Sequence, residues 1–116
     1  MRQVKMFTLA LLMLLGNACT YDNEEDLFGE NNCSSDISFT QKVQPIIAAR
    51  CSLPGCHVSG AQPPNFSQTS TIINRAASIR NRTKNRTMPP PTSGITLTET
   101  EIQTIDCWVQ QGANEN

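Results

Sequence analysis

The chain lacks most of the side-chain sets on which acid–base and nucleophilic catalysis depend. It has a single histidine, His57, in 116 residues. We find no serine–histidine–aspartate set, no pair of carboxylates within an apolar segment and no glycine-rich phosphate loop. We therefore expect a protein that is not an enzyme.

Long apolar runs are equally scarce. Residues 6–15 form one apolar run of ten, which follows Arg2 and Lys5 and precedes the small residues 16–18. Ten residues are too few to span a membrane as a helix, and the pattern is typical of a secretory signal. We predict that residues 1–18 are a signal peptide and that the mature chain is exported, to the periplasm or the cell surface.

The residue that follows this signal is Cys19, which resembles the lipidated cysteine of bacterial lipoproteins. A lipid there would anchor the protein to a membrane surface without spanning the membrane. The chain departs from the lipoprotein pattern because Gly16 stands where a leucine is expected and Leu15 lies one place too early. The alternative is ordinary cleavage after Ala18, which leaves Cys19 as a free thiol.

Acidic residues are concentrated just beyond this cysteine. Residues 20–36 contain six Asp or Glu and no Lys or Arg. Such a composition buries too little apolar surface to fold alone, so we predict a flexible linker at residues 19–36. The tract is either a solubilising spacer or, by similarity to some lipoproteins, a signal for the outer surface. Residues 37–116 then form one domain, small enough to need a cross-link or a cofactor for stability.

The most informative motif is CSLPGCH at residues 51–57. Two cysteines followed directly by a histidine attach haem covalently, usually with the spacing C-x-x-C-H. Here four residues separate the cysteines, and Pro54-Gly55 favours a turn that loops out the extra two. The pattern predicts thioether bonds from Cys51 and Cys56 to one haem, with His57 as the proximal iron ligand.

A second iron ligand is predicted at Met88. It is the one methionine left after signal removal, and the single histidine excludes a haem with two histidine ligands in one chain. Met88 lies 31 residues after His57, directly before three prolines that stiffen its loop. The alternative role for an isolated methionine is to fill a gap in the core.

Hydrophobic spacing predicts three helices and no strands. The first covers residues 39–50, with Ser38 as its cap and a kink or restart at Pro45. The second covers residues 67–82, with Ser67 or Ser70 as its cap. The third begins at the capping box TETE, residues 98–101, and stops at Gly112.

These pieces and their order resemble a small monohaem, class I-like cytochrome c domain of bacterial lipoproteins. The resemblance covers about residues 38–113 and rests on VQPIIAARC, CSLPGCH, RTMPPP and GITLTETEIQTIDCWVQQGA. It implies an all-α, cytochrome c-like fold with three main helices around one covalent haem c. It also implies single-electron transfer, with Cys51 and Cys56 as thioether sites, His57 as proximal ligand and Met88 as distal ligand. The four-residue spacing between the cysteines departs from the usual pattern.

The resemblance also accounts for the other cysteines. Cys33 and Cys107 remain once lipid and haem are assigned, and the first and last helices cross in small cytochromes c. An exported protein can form disulfides, so we predict one between Cys33 and Cys107. The competing possibility is a bridge between Cys51 and Cys56, with His57 left on the surface.

A basic run without acidic residues leads to Met88. Its members are Arg75, Arg80, Arg82, Lys84 and Arg86. They could neutralise haem propionates, steer docking of an acidic redox partner protein, or form a solvated helix face. Nucleic acid is not an expected partner, because the compartment is wrong and the chain has a net charge of −1.

Two further functions remain open at this point. One is a haem-free, disulfide-stapled lipoprotein domain that acts as a binding or scaffold module. The other is a metal site made of Cys51, Cys56 and His57, which lacks a fourth ligand at zinc-like spacing. Phe39, Phe66 and Trp108 could wall a haem pocket, although plain packing explains them equally well.

Overall fold

The computed structural model describes residues 33–116, so the predicted signal peptide, Cys19 and most of the acidic linker lie outside the described residues. Every regular element in this part of the chain is a helix, and it contains no strand. The prediction of an all-α fold is confirmed for these residues. The elements are a π-helical turn Phe39–Val43, α1 Gln44–Arg50, α2 Thr69–Asn74, α3 Ala76–Lys84, a 3-10 turn Pro91–Ser93 and α4 Glu99–Gln110.

The first helical segment restarts at its proline, as predicted. Ser38 Oγ accepts the N–H of Gln41 at 3.3 Å and caps the π-helical turn. Pro45 then lies in the first turn of α1. A proline is tolerated there because its missing N–H has no intrahelical partner in any case.

The prediction of one helix over residues 67–82 is wrong. The chain forms two helices, separated at Arg75, whose φ of −105° and ψ of 7° are not helical. The predicted serine caps are not used either, since Gln68 occupies the cap position of α2 and makes no side-chain cap bond. The apolar spacing survives the break, so Ile72 and Ile79 still reach one core.

The last helix matches its prediction. Thr98 Oγ1 accepts the N–H of Glu101 at 3.2 Å, and Glu101 Oε2 accepts the N–H of Thr98 at 2.7 Å. This reciprocal pair satisfies two N–H groups that a helix start leaves free. At the other end Gly112 adopts a φ of +103°, which favours glycine, and the helix stops there.

One hydrophobic core joins these helices. The Phe39 and Trp108 rings lie 5.5 Å apart between centroids, so the π-helical turn packs on α4. Each large side chain buried in this way stabilises the fold by roughly 1.5–3 kcal/mol. The buried members of the core are Phe39, Val43, Ile47, Phe66, Ile72, Ala76, Ile79, Ile105 and Trp108.

A disulfide attaches the start of the described chain to α4. Cys33 and Cys107 are bonded, as predicted, with their Cα atoms 5.2 Å apart. Gln111 reinforces this attachment, because its side-chain amide donates to the Ser35 carbonyl and accepts from the Ile37 N–H, each at 2.8 Å. Residues 33–37 are therefore held against the end of α4.

Among residues 33–116, no helix has both the length and the apolar character that crossing a membrane requires.

Candidate cofactor site

Four residues that the sequence singled out line one cavity. It has a volume of about 450 Å³, within the range of small-molecule and cofactor sites. Its lining residues include Cys51, Cys56 and His57, and also Met88. The fold thus brings together residues that are widely separated in the chain.

The segment between the two cysteines is a tight turn. The Cys56 N–H donates to the Leu53 carbonyl at 2.9 Å, and Gly55 has a φ of +79°. Proline at the second position and glycine with positive φ at the third are typical of a type II turn. The two extra residues of the motif are therefore looped out, as predicted from Pro54-Gly55.

One backbone hydrogen bond to α1 fixes the start of the motif, and another, to the Cys51 carbonyl, fixes its end. The Cys51 N–H donates to the Ile47 carbonyl at 2.9 Å, so Cys51 continues directly from the last turn of α1. The His57 N–H donates to the Cys51 carbonyl at 3.1 Å and closes the segment. These two bonds hold both ends of the motif beside the cavity.

The imidazole of His57 has one nitrogen engaged. Its Nδ1 lies 3.0 Å from the Pro64 carbonyl oxygen. A carbonyl can only accept, so this bond requires a proton on Nδ1 and leaves the lone pair of Nε2 free in the neutral ring. Metal-binding histidines are commonly oriented by such a bond to a backbone carbonyl.

Phe66 restricts the same imidazole from one side. The two ring centroids are 4.7 Å apart, and the Phe66 N–H donates to the His57 carbonyl at 2.8 Å. Phe66 lines the cavity, which is one of the two roles that the sequence suggested for it. Phe39 and Trp108 are not among the lining residues and pack in the core instead.

Both cysteines of the motif are free thiols, so the alternative bridge between Cys51 and Cys56 is absent. Burial raises the pKa of Cys51 to about 11, with smaller contributions from the nearby Cys56 and Glu101. Cys51 is therefore a neutral thiol at pH 7. A neutral thiol is a poor nucleophile for catalysis and a poor ligand for a free metal ion.

A helix end presents Met88. The Arg82 carbonyl accepts the N–H groups of Thr87 and Met88 at 3.0 and 3.1 Å, and the Arg86 N–H donates to the Thr83 carbonyl at 3.2 Å. With Arg86 at a φ of +57°, this is the Schellman arrangement that commonly ends helices. The turn after α3, together with the prolines, thus fixes the half-buried Met88 beside the cavity.

The five cations of the basic run do not form one surface. Arg80 and Lys84 both bind Asp106 of α4, with Lys84 Nζ 3.1 Å from Oδ2, and Arg86 binds Glu99. Burial by itself raises the pKa of Asp106, but the hydrogen bonds from Arg80 and Lys84 outweigh it and hold that pKa below its usual value. The remaining two, Arg75 and Arg82, line the cavity.

Arg50 is a cavity residue that the sequence reasoning did not identify. Its Nε lies 3.0 Å from Glu101 Oε1, the carboxylate that also closes the capping box of α4. Burial raises the pKa of Glu101, whereas the Thr98 N–H and Arg50 lower it by more, so the net shift is downward. No local motif signals this pair, because its partners come from distant parts of the chain.

The metal-site alternative is wrong for this part of the chain. Within residues 33–116, no three His, Cys, Asp or Glu side chains come together as a metal-binding group. A haem iron does not require such a group, because the porphyrin supplies four of its ligands.

The chain matches no protein-family model, no curated protein and no solved structure. The assignment of a function therefore depends on the residues of this cavity.

Proposed function

We propose that the mature chain is an exported single-electron carrier with a cytochrome c-like fold and one covalent haem c. The observation that carries this proposal is that Cys51, Cys56, His57 and Met88 line one cavity. A c-type haem with histidine and methionine ligands uses two cysteine thiols for covalent attachment, and one imidazole and one thioether as iron ligands.

The chemical state of these residues also supports the proposal. Both cysteines are free, so their sulfur atoms are available for thioether bonds. His57 engages Nδ1 with the Pro64 carbonyl and keeps Nε2 available for iron. Met88 would supply the opposite ligand, and a thioether ligand favours the ferrous state. When bound, the haem supplies a reversible one-electron couple at its iron.

The chain's own residues then have three tasks. The turn at Leu53–Cys56 and the Schellman turn after α3 position the ligands. Apolar residues of the lining, among them Phe66, Ile79 and Ile95, exclude water from the cofactor. The predicted lipid on Cys19 anchors the domain to a membrane surface, where it meets a redox partner protein.

The direct test is maturation of the full chain in cells that attach c-type haem. We expect red protein whose colour survives denaturation, because thioether bonds persist in the unfolded chain. Mass spectrometry should find the added haem on the peptide that contains residues 51–57. Colourless material of unmodified mass would contradict the proposal and leave the haem-free, disulfide-stapled binding module as the better explanation.

The distal ligand has its own test. Met88→Ala should keep the covalent haem but lose the weak absorption band that methionine ligation produces at the red end of the ferric spectrum. Ile95→Ala is the matched control, since Ile95 lines the same cavity without a ligating atom. Loss of the band in both variants, or in neither, contradicts the assignment of Met88.

A further inference from the structure

We propose that Arg75 and Arg82 form a carboxylate-binding pair at the mouth of the cavity and orient an amphiphilic, dianionic ligand within it. This inference rests on the proposed function, in which that ligand is haem and the carboxylates are its two propionates. It assigns the role to two of the five cations in the basic run and denies it to the other three.

The helical period separates Arg75 and Arg82 from the other α3 cations of the basic run. The residues of α3 and its cap that line the cavity are Arg75, Ser78, Ile79, Arg82 and Thr83. Their spacing of three, four, seven and eight residues from Arg75 places them on one side of the helix. Arg80 and Lys84 lie outside this set and bind Asp106 on α4.

The charges of the cavity wall favour an anion. Among the described residues, no Asp or Glu lines the cavity, and its third arginine, Arg50, is already paired with Glu101. In the described part of the chain, neither Arg75 nor Arg82 has an ion-pair partner. A ligand carboxylate would give each guanidinium the partner that the protein does not supply.

The positions of the two arginines fix where that carboxylate lies. Both are exposed although they line the cavity, which places them at its opening. Phe66 and Ile79, which line the same cavity, are buried. The ligand would therefore place an apolar body inside and its acidic groups at the solvent edge, where a charge need not be desolvated.

The test compares an iron mesoporphyrin with its dimethyl ester as ligands of the full chain before haem attachment. Mesoporphyrin has ethyl groups in place of vinyl groups, so the thiols cannot form thioethers, and the ester replaces each propionate carboxylate with a neutral methyl ester. We expect the diacid to bind about tenfold more tightly than the ester, since two partly exposed ion pairs contribute modestly. High salt should reduce this preference.

The preference should be lost in the double variant R75Q/R82Q and kept in Lys42→Gln. Lys42 is an exposed cation that does not line the cavity, so it controls for the loss of a positive charge elsewhere on the surface. Equal loss in both variants, or a preference that survives in R75Q/R82Q, overturns the inference. The second result would place the two arginines at a docking surface for an acidic partner instead.

Absence of binding by either porphyrin also overturns the inference. That outcome is distinct from failure of the proposed function, which is decided by the mass of the matured protein. Conversely, a colourless chain that binds the diacid through Arg75 and Arg82 would sustain the carboxylate site without the covalent haem.

Discussion

The described part of the chain contains two cysteine pairs, of which one is bonded and the other is free. Cys33 and Cys107 are bonded at the end of the domain where α4 meets the first described residues, and Cys107 is buried. Cys51 and Cys56 remain free and half-buried beside the cavity. The comparison teaches that one pair cross-links the fold, whereas the other leaves two thiols beside the cavity.

The largest expected effect separates the two pairs by their chemistry. Cys51→Ser with Cys56→Ser should abolish covalent haem completely, because serine cannot form the thioether bonds. Cys33→Ser with Cys107→Ser should keep the haem. Intact mass after denaturation measures both, and haem that survives denaturation in the first variant would refute the division of roles.

The second effect is on stability, and here loss of the bonded pair should matter more than loss of the free pair. Removal of the Cys33–Cys107 bridge should lower the free energy of unfolding by about 4 kcal/mol, because the bridge closes a long loop across a sequence separation of 74. Denaturant titration of the haem-free chain measures it. Cys51→Ser with Cys56→Ser is the matched control and should change stability far less, since no bond is lost.

The third effect concerns the reactivity of Cys51. With its pKa raised from 9.0 to about 11, chiefly by burial, Cys51 should have roughly a hundredfold smaller thiolate fraction at pH 7 than in the unfolded chain. Alkylation followed by peptide mapping, in the folded and denatured chain, compares the two rates. Equal rates would mean that Cys51 is not shielded.

The fourth and smallest effect tests the contact between the disulfide end of α4 and the cavity helix α3. Asp106 precedes the disulfide cysteine and binds Arg80 and Lys84 of the cavity helix α3. Its pKa is lowered in the folded state, so its contribution is full above the unfolded pKa and is lost as pH falls through the folded pKa. We therefore expect the free energy of unfolding to decrease as the pH falls into the acidic range where Asp106 is protonated.

Asp106→Asn should remove most of that pH dependence, because the amide does not titrate. Urea titrations at pH 7 and at acidic pH measure the free energy of unfolding at each pH. The change between the two pH values is then compared between the variant and the unmodified protein. Asp36→Asn is a suitable control, since Asp36 is exposed and binds none of the described cations. An acid slope that is unchanged in Asp106→Asn would show that other carboxylates cause it.

Local signals explain which helices the sequence predicted well. The capping box at Thr98 and Glu101 and the stop at Gly112 are short-range features, so α4 could be predicted from its own residues. The break at Arg75 could not, because no Gly or Pro marks it. The apolar spacing of Ile72, Ala76 and Ile79 fits one helix as well as two.

The site divides in the same way. Cys51, Cys56 and His57 are neighbours in the chain, so their shared location followed from the motif, and uniqueness singled out Met88. The Pro64 carbonyl that orients His57 is a backbone group, and no residue type predicts it.

The Arg50–Glu101 pair and the division of the basic run depend on how α3 and α1 pack against α4. The helical period of α3 was the one signal that could have separated Arg75 and Arg82 from Arg80 and Lys84.

The disulfide has a consequence for how the chain withstands proteolysis. Within residues 33–116, every cavity-lining residue, from Arg50 to Ile95, lies between Cys33 and Cys107. A protease that cuts once in a cavity loop would therefore leave two fragments still joined by a covalent bond. With the buried core intact, the nicked molecule would keep the lining residues on either side of the cut together.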